Sequence, residues 1–407
     1  MRTFFLDLVV LSYKLADNLT KPYADSGVFL MKKAIFLLLL AVLAASAAYA
    51  FEIEGAVSSY TAGESANIRT IDVLEIAKAS LGMSIPLDFN GNTNLNIAGD
   101  FTGRWKVNTS DNDLIADCTA LSLLMSIPLG ESSYGSFEMG RFSVKDSTEL
   151  IFNQNLDGVR FRVESPLFRS HLYGGYTGLL NARHNPMLPS STATGIYPTA
   201  PSYITADFFV YMPDIYEDKS IGLEALGAFN PVTPAATKLY AIARIDGKFL
   251  YFIPYTLCTA FSWTNEGNTF GHMANLSFAS MEYTINKTHF GGKLLHASGN
   301  SYNFSNFKQL SAIYADRNNT FLYSNLMSIG VFLDNTTSGD VNIATNVDGL
   351  FSLGANSSII FSGVQWSLDI NIPIKKKTKL EFVLREYIPV KAGSLNTTLS
   401  MFLSFGF

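Results

Sequence analysis

The sequence predicts an all-β protein, a transmembrane antiparallel β-barrel of about 16 strands with 14–18 allowed, preceded by a cleaved leader. Three observations support this fold class. Residues 31–50 have the form of a secretory leader, apolar and polar residues alternate over runs of about 9–11 residues, and few residues are charged. Charged residues make up 15% of the chain, whereas a soluble domain usually has about 25%. Part of the surface must therefore contact something other than water.

The leader begins at Met31, where Lys32 and Lys33 precede an apolar run, residues 34–43, and a tail of small residues that ends at Ala50. The apolar run is shorter than the ~20 residues that span a bilayer, so cleavage after Ala50 is predicted rather than a membrane anchor. Residues 1–30 carry no periodic pattern and are predicted to be a non-native upstream extension. Residues 51–407 then form the barrel.

Charge and cysteine content exclude several classes of function. The chain has a net charge of −5, and loss of the basic leader makes it more acidic, so it has no electrostatic reason to bind nucleic acid. Cys118 and Cys258 are too few and too far apart in sequence for a disulfide scaffold, although a single bridge is left open. Cysteine spacing typical of zinc sites is absent, and no cofactor is predicted.

Alternation with a period of two is the main evidence for membrane strands. From Leu95 to Val107 every second residue is apolar or glycine, and the residues between them are mostly polar or charged. The same division separates the apolar Val159, Phe161 and Val163 from the charged Arg160, Arg162 and Glu164. Side chains alternate across a strand, and a barrel in hydrocarbon needs one apolar face and full backbone pairing. The pattern therefore favours a barrel over a soluble sandwich.

Turn-forming residues predict where the strands end. Pro86, Pro128, Pro213 and Pro373 follow apolar runs, and because proline cannot donate to a ladder they are expected at strand ends on one rim, the periplasmic one. Asp246–Gly247 is predicted to be a tight hairpin turn. Residues 181–201, rich in Pro, Ser and Thr, are expected to form the longest loop, on the extracellular side.

The C-terminal strand carries a family resemblance. Residues 395–407 alternate and end on Leu403, Phe405 and Phe407, which resembles the C-terminal recognition signal of bacterial outer-membrane proteins. This resemblance implies location in the bacterial outer membrane. It also implies that the barrel contacts outer-membrane lipid and the barrel assembly machinery.

A second resemblance concerns the lumen. Residues 140–158 resemble the constriction loop of porins, which folds inward and sets opposed charges against each other. An ordinary surface loop with solvated charges is the alternative. The resemblance implies a porin-like channel for passive diffusion of small hydrophilic solutes or ions, with a homotrimer left open. The pore-lining candidates are Arg104, Lys106, Arg141, Lys145, Asp146, Glu149, Asp157, Arg160 and Arg162.

Three other functions compete with a channel. One is a surface adhesin or structural barrel without conductance, and another is a transporter of hydrophobic solutes. The third is an outer-membrane acyl hydrolase, because His296 and Ser298 share a strand face at the spacing of a His–Ser pair. Those hydrolases usually have Asn-Gly after the serine, whereas Gly299–Asn300 stands here. The sequence therefore predicts no enzyme.

Overall fold

The computed structural model describes residues 52–406 apart from short gaps. The gaps are residues 68–69, 89–91, 107–111, 183–196, 217, 267–268, 300–304, 311–312, 315–319, 322–323, 338, 354–357, 376–377 and 391–395. The predicted extension and leader, residues 1–50, lie outside the described residues. No helix in the described part of the chain is long and apolar enough to cross a membrane.

Strands make up nearly all of the described structure, together with one 3-10 turn at Pro234–Ala236. The strands are β1 (Glu52–Asn67), β2 (Thr70–Pro86), β3 (Thr93–Lys106), β4 (Asn112–Pro128), β5 (Tyr134–Lys145), β6 (Asn153–Glu164), β7 (Arg169–Tyr176), β8 (Ile204–Tyr216), β9 (Lys219–Phe229), β10 (Lys238–Phe249), β11 (Ile253–Glu266), β12 (Thr269–Ile285), β13 (Thr288–Ala297), β14 (Ile313–Tyr314), β15 (Thr320–Phe321), β16 (Leu326–Thr336), β17 (Asn342–Leu353), β18 (Ile359–Lys375), β19 (Thr378–Pro389) and β20 (Asn396–Gly406).

The long strands close into one barrel. Eighteen of them form a single sheet in which each pairs with its neighbours in sequence, while β14 and β15 form a separate two-stranded ribbon. Pairing of β1 with β20, from Ala56–Gly406 to Glu64–Thr398, closes the ring. The count of 18 lies at the upper end of the predicted range, above the central expectation of 16. The central expectation comes from Pro86 and Pro128, which are 42 residues apart and imply about 21 residues per strand, more than the average strand repeat of this barrel.

The two faces of the sheet differ as the alternation predicts. Val159 and Phe161 are exposed on the outer face of β6, and Leu172, Phe208 and Leu223 continue this apolar surface on β7, β8 and β9. Polar residues are instead buried on the inner face, and they include Asp100, Ser122, Glu138, Thr205, Asp207, Glu224, Ser262 and Asp348. An apolar exterior and a polar interior are typical of barrels that sit in lipid.

The four prolines lie at one rim, as predicted. Pro86 and Pro128 are the last residues of β2 and β4, and Pro213 and Pro373 lie at register shifts near the ends of β8 and β18. β1 starts and β20 ends at this same rim, which we call the short-turn rim. The opposite end is the long-loop rim.

The prediction of a hairpin turn at Asp246–Gly247 is wrong. β10 continues through both residues, and the chain turns at residues 250–252, where Leu250 and Tyr251 have φ of 51° and 68°. Gly247 lies opposite Tyr255, and a Cβ atom on this glycine would come within 2.7 Å of the tyrosine hydroxyl. The glycine thus makes room for an aromatic ring rather than for a turn.

Two connections at the long-loop rim are much longer than the others. Residues 177–203 link β7 to β8 and include the predicted loop 181–201, of which residues 183–196 are not described. Residues 298–325 link β13 to β16 and are of similar length, which the sequence did not suggest. Both connections contribute to a buried cluster, through Leu180, Ala200, Tyr203, Phe307 and Leu310.

Candidate functional site

The hairpin of β5 and β6 leaves the barrel wall part-way along its length. β5 pairs with β4 only as far as Arg141–Leu121, and β6 pairs with β7 only as far as Asp157–Tyr176. Beyond these rows the two strands pair only with each other, up to Lys145–Asn153. Residues 142–156, which we call the inner hairpin, therefore have no strand neighbour in the wall.

Two glycines allow this departure. Gly140 and Gly158 lie opposite each other. They are next to the Arg141–Asp157 pair and one residue closer to the part of the hairpin that belongs to the wall. Gly140 has φ of +118°, and a Cβ atom there would lie 2.1 Å from the carbonyl oxygen of Leu121. A Cβ atom on Gly158 would lie 2.1 Å from the carbonyl oxygen of Gly174. Only glycine lets the hairpin bend so close to the backbones of β4 and β7.

Arg141 and Asp157 close the gap that the inner hairpin leaves. The guanidinium binds the carboxylate through Nε–Oδ1 at 2.7 Å and Nη2–Oδ2 at 2.8 Å. It also donates to the carbonyl oxygens of Cys118 at 3.0 Å and Leu179 at 3.2 Å. Asn155 donates to the carbonyl oxygen of Thr119 at 2.9 Å. Side chains thus supply donors to β4 where its neighbouring strand is missing.

The tip of the inner hairpin, residues 146–152, is held by a buried carboxylate. Asp146 accepts backbone N–H groups of Thr148, Ile151 and Phe152 at 2.8, 3.0 and 2.6 Å. Burial raises the pKa of Asp146, and these hydrogen bonds act in the opposite direction. Ile151 and Phe152 are fully buried. The tip is therefore not the solvated surface loop of the alternative interpretation.

The tip projects from the wall and contacts other strands of the barrel. The backbone N–H of Ser147 donates to Glu224 Oε2 on β9 at 2.8 Å, and Arg244 on β10 donates to the Ser147 carbonyl oxygen at 2.8 Å. The N–H of Leu310 donates to the carbonyl oxygen of Ile151 at 3.0 Å. The inner hairpin and residues 305–310 therefore fill one side of the lumen together.

A chamber of about 540 Å³ lies beside the inner hairpin. Its charged residues come from three strands of the wall, β6, β7 and β10, and from the inner hairpin. They are Lys145, Asp146, Glu149, Arg160, Arg162, Glu164, Arg169, Arg244 and Asp246, joined by His171, Tyr173, Phe209 and Tyr211. The chamber is therefore polar. It is lined by positive and negative side chains and in part by aromatic rings.

Most charges in the chamber are paired. Arg160 forms an ion pair with Glu138, and its guanidinium lies 4.6 Å from the ring centroid of Phe142. Arg244 binds Asp246 at 2.8 Å. In the described part of the chain, Arg162 forms no ion pair with an acidic side chain. This guanidinium is therefore available to a charged solute.

The predicted pore-lining residues fall into three groups. Lys145, Asp146, Glu149, Arg160 and Arg162 line the chamber. Arg141 and Asp157 bind each other at the gap in the wall instead. Arg104 and Lys106 lie on β3, but their side chains are outside the described residues. The predicted assembly residues Leu403 and Phe405 lie on β20, but the structure does not describe their side chains. Phe407 lies outside the described residues.

Several chamber residues were not predicted from the sequence. Arg169, His171 and Tyr173 alternate along β7, and Arg244 and Asp246 alternate along β10. This inward period of two was the available signal. On β10 this signal is obscured because Asp246–Gly247 also has the composition of a turn.

The His–Ser pair is separated by the structure. His296 lines a groove on the outer surface together with Leu257 and Leu294. Ser298 is buried, where its hydroxyl donates to the Ser305 carbonyl oxygen at 2.8 Å and accepts the Asn275 N–H at 3.0 Å. Within the described residues no hydrogen bond joins His296 to Ser298. The Ser298 hydroxyl therefore has a structural role, because it links the backbones of Asn275 and Ser305.

Comparison with known proteins finds relatives in structure alone. No family model matches the chain, and no curated protein matches its sequence. OccK5 (OpdH) of Pseudomonas aeruginosa superposes with a TM-score of 0.61 at 9% identity, covering 88% of this chain and 98% of that one. The fold is that of a bacterial outer-membrane β-barrel. OpdQ of the same organism matches with a TM-score of 0.60 at 8% identity, covering 88% of this chain and 99% of that one.

A third match was solved with a small molecule. The structure of Pseudomonas aeruginosa OpdK with vanillate superposes with a TM-score of 0.58 at 10% identity, and it covers 88% of this chain and 98% of that one. The likeness therefore extends over almost the whole of each relative.

Proposed function

We propose that this chain is a porin-like channel of the bacterial outer membrane, through which small hydrophilic solutes or ions diffuse passively. The main support is the inner hairpin, because it narrows the lumen beside a charged chamber of about 540 Å³. A barrel of 16–18 strands is wide enough for an aqueous path. A hairpin that constricts this path suits selection among solutes.

Small organic anions are the solute class that the chamber suits best. Arg162 offers a guanidinium without an ion pair among the described residues, and Arg169 lies near it on the next strand. A guanidinium binds a carboxylate through two parallel hydrogen bonds. OpdK, which was solved with vanillate, shares the fold. Aromatic residues such as Phe209 and Tyr211 can contact the apolar part of such a solute.

Single-channel current in a planar bilayer tests the proposal. The purified protein should give discrete, long-lived steps, and a salt gradient should give a reversal potential that reports ion preference. Insertion of the folded, heat-modifiable barrel without any current would contradict a channel and favour an adhesin or structural barrel.

Substitution of Arg162 tests the part played by the chamber. Arg162→Gln should move the reversal potential towards cation preference, since it removes an unpaired positive charge beside the constriction. Lys248→Gln is the matched control, because it also removes one positive charge, but from a half-exposed side chain at the short-turn rim. There Lys248 Nζ lies 3.9 Å from Asp218 Oδ2. Equal shifts in the two variants would show that the chamber does not set selectivity.

A further inference from the structure

Three side chains that the proposed solute path does not require meet on the inner face of β7, β8 and β9. His171, Asp207 and Glu224 each offer one ligand atom, and these atoms all lie within 4.8 Å of one another. His171 Nε2 and Asp207 Oδ2 are 2.7 Å apart. Their strands are adjacent in the wall, so the cluster rests on paired backbone rather than on a loop.

The two carboxylates are buried, and among the described residues neither has a lysine or arginine partner. Asp207 is 1% exposed and Glu224 is 5% exposed. Among the described residues, no lysine or arginine forms an ion pair with either of them, since Arg160 binds Glu138 and Arg244 binds Asp246. Buried charges are normally paired or coordinate a metal ion. A bound cation would compensate these buried carboxylates.

Unsatisfied ligand atoms give a second, independent indication. Asp207 Oδ1 and Glu224 Oε1 are buried and have no hydrogen-bond partner among the described residues. The hydroxyl of Tyr173 is likewise buried and unpartnered, and this residue lies directly opposite Asp207 in the pairing of β7 with β8. Buried polar atoms are rarely left unpaired, so these oxygens indicate a bound group.

We propose that His171, Asp207 and Glu224 form a binding site for a divalent transition-metal ion, with Zn²⁺ as the best fit. Zinc takes histidine nitrogen and carboxylate oxygen at about 2.0–2.2 Å in tetrahedral geometry, which places ligand atoms roughly 3.3 Å apart. The spacings in the cluster, from 2.7 Å up to a limit of 4.8 Å, bracket that value. A solvent molecule or the Tyr173 oxygen completes the coordination.

The site would connect the metal ion to the inner hairpin. Glu224 accepts the Ser147 N–H through Oε2, whereas the unpartnered oxygen is Oε1. Glu224 can therefore bind a metal ion through Oε1 and keep its hydrogen bond to the hairpin tip through Oε2. The ion would fix β7, β8, β9 and the tip at one point beside the chamber. This inference is independent of whether the barrel conducts.

Titration of the purified, metal-free protein with Co²⁺ tests the site by absorption spectroscopy. A tetrahedral site should give visible d–d bands that saturate at one equivalent and disappear when Zn²⁺ is added. His171→Asn and Asp207→Asn should each abolish the bands. His289→Asn is the control, because His289 lies on β13 and contacts the hydroxyl of Thr284 on the exposed surface.

Two results would overturn the proposal. One is wild-type protein that gives no saturable bands, and the other is a Co²⁺ spectrum that survives His171→Asn. Heat modifiability on a gel shows whether each variant is folded, and Glu224→Gln serves as a further variant if Asp207→Asn does not fold. Bands lost in a folded Glu224→Gln protein would support the site, and bands unchanged in it would contradict the assignment.

Discussion

At the residue scale, the bend of β5 depends on one backbone conformation. Gly140→Ala forces a Cβ atom towards the Leu121 carbonyl oxygen at φ +118°, and such strain costs about 1–3 kcal/mol or more. We expect a lower free energy of unfolding, measured by urea titration of the barrel in detergent. Gly130→Ala is the control, since nothing lies within 4 Å of its added Cβ atom. Equal stability of both variants would contradict the bend.

The Arg141–Asp157 pair can be tested by a double-mutant cycle. Arg141→Met and Asp157→Asn should show a coupling energy of about 1–3 kcal/mol, because the side chains are only 12% and 23% exposed and bind through two hydrogen bonds. Lys145 and Glu149 supply the comparison pair, with side chains 61% and 54% exposed. Their coupling should be near zero. A similar value for the two pairs would show that Arg141 does not seal the wall.

Single residues also show where sequence patterns mislead. Arg141 and Asp157 look like pore-lining charges because they flank the inward segment, yet their register places them opposite each other. Asp246–Gly247 has the composition of a turn, but its carboxylate is used by Arg244 and Thr256. Local composition cannot distinguish these uses, because each depends on a cross-strand neighbour that is distant in sequence.

At the element scale, the inner hairpin is expected to limit the current. Replacing residues 146–152 with a two-residue turn removes the tip that contacts Glu224 and Arg244. We expect a several-fold higher single-channel conductance, since the lumen becomes wider where the tip now projects into it.

The control for this change is a loop at the opposite rim. Residues 129–133 connect β4 to β5 at the short-turn rim, and shortening this turn should leave the conductance unchanged. Heat modifiability confirms that both variants have folded. An unchanged current in the tip variant would show that the narrowest point lies elsewhere.

The strands themselves could be predicted well because one physical pattern defines them. The division of Val159 and Phe161 from Arg160 and Arg162 reflects lipid on one side and a polar lumen on the other. The inward course of residues 142–156 was inferred only by resemblance. The two glycines that cause this course, Gly140 and Gly158, are present in the sequence. Only the register shows that they lie opposite each other.

At the scale of the whole molecule, closure was predictable, and the 18 strands lie at the upper limit of the predicted 14–18. Hydrocarbon requires that all backbone groups be paired, so the alternation implied a closed barrel. The average repeat was estimated from Pro86 to Pro128, a stretch that contains β3 and β4, which have 14 and 17 residues. Strands such as β7 and β9 have only 8 and 11 residues, so the central estimate of the strand number was too low.

Because the inner hairpin leaves the wall early, the paired part of the wall is short on that side of the barrel. β4 pairs with β5 over eight residues, as does β6 with β7, whereas β11 pairs with β12 over twelve. Eight residues in a strand tilted by about 40° rise only about 20 Å, less than the usual apolar band of about 25 Å. A bilayer that meets this flank must become thinner there, or the barrel axis must incline towards it. We therefore expect the uneven height of the wall to bias the tilt of the barrel in its membrane.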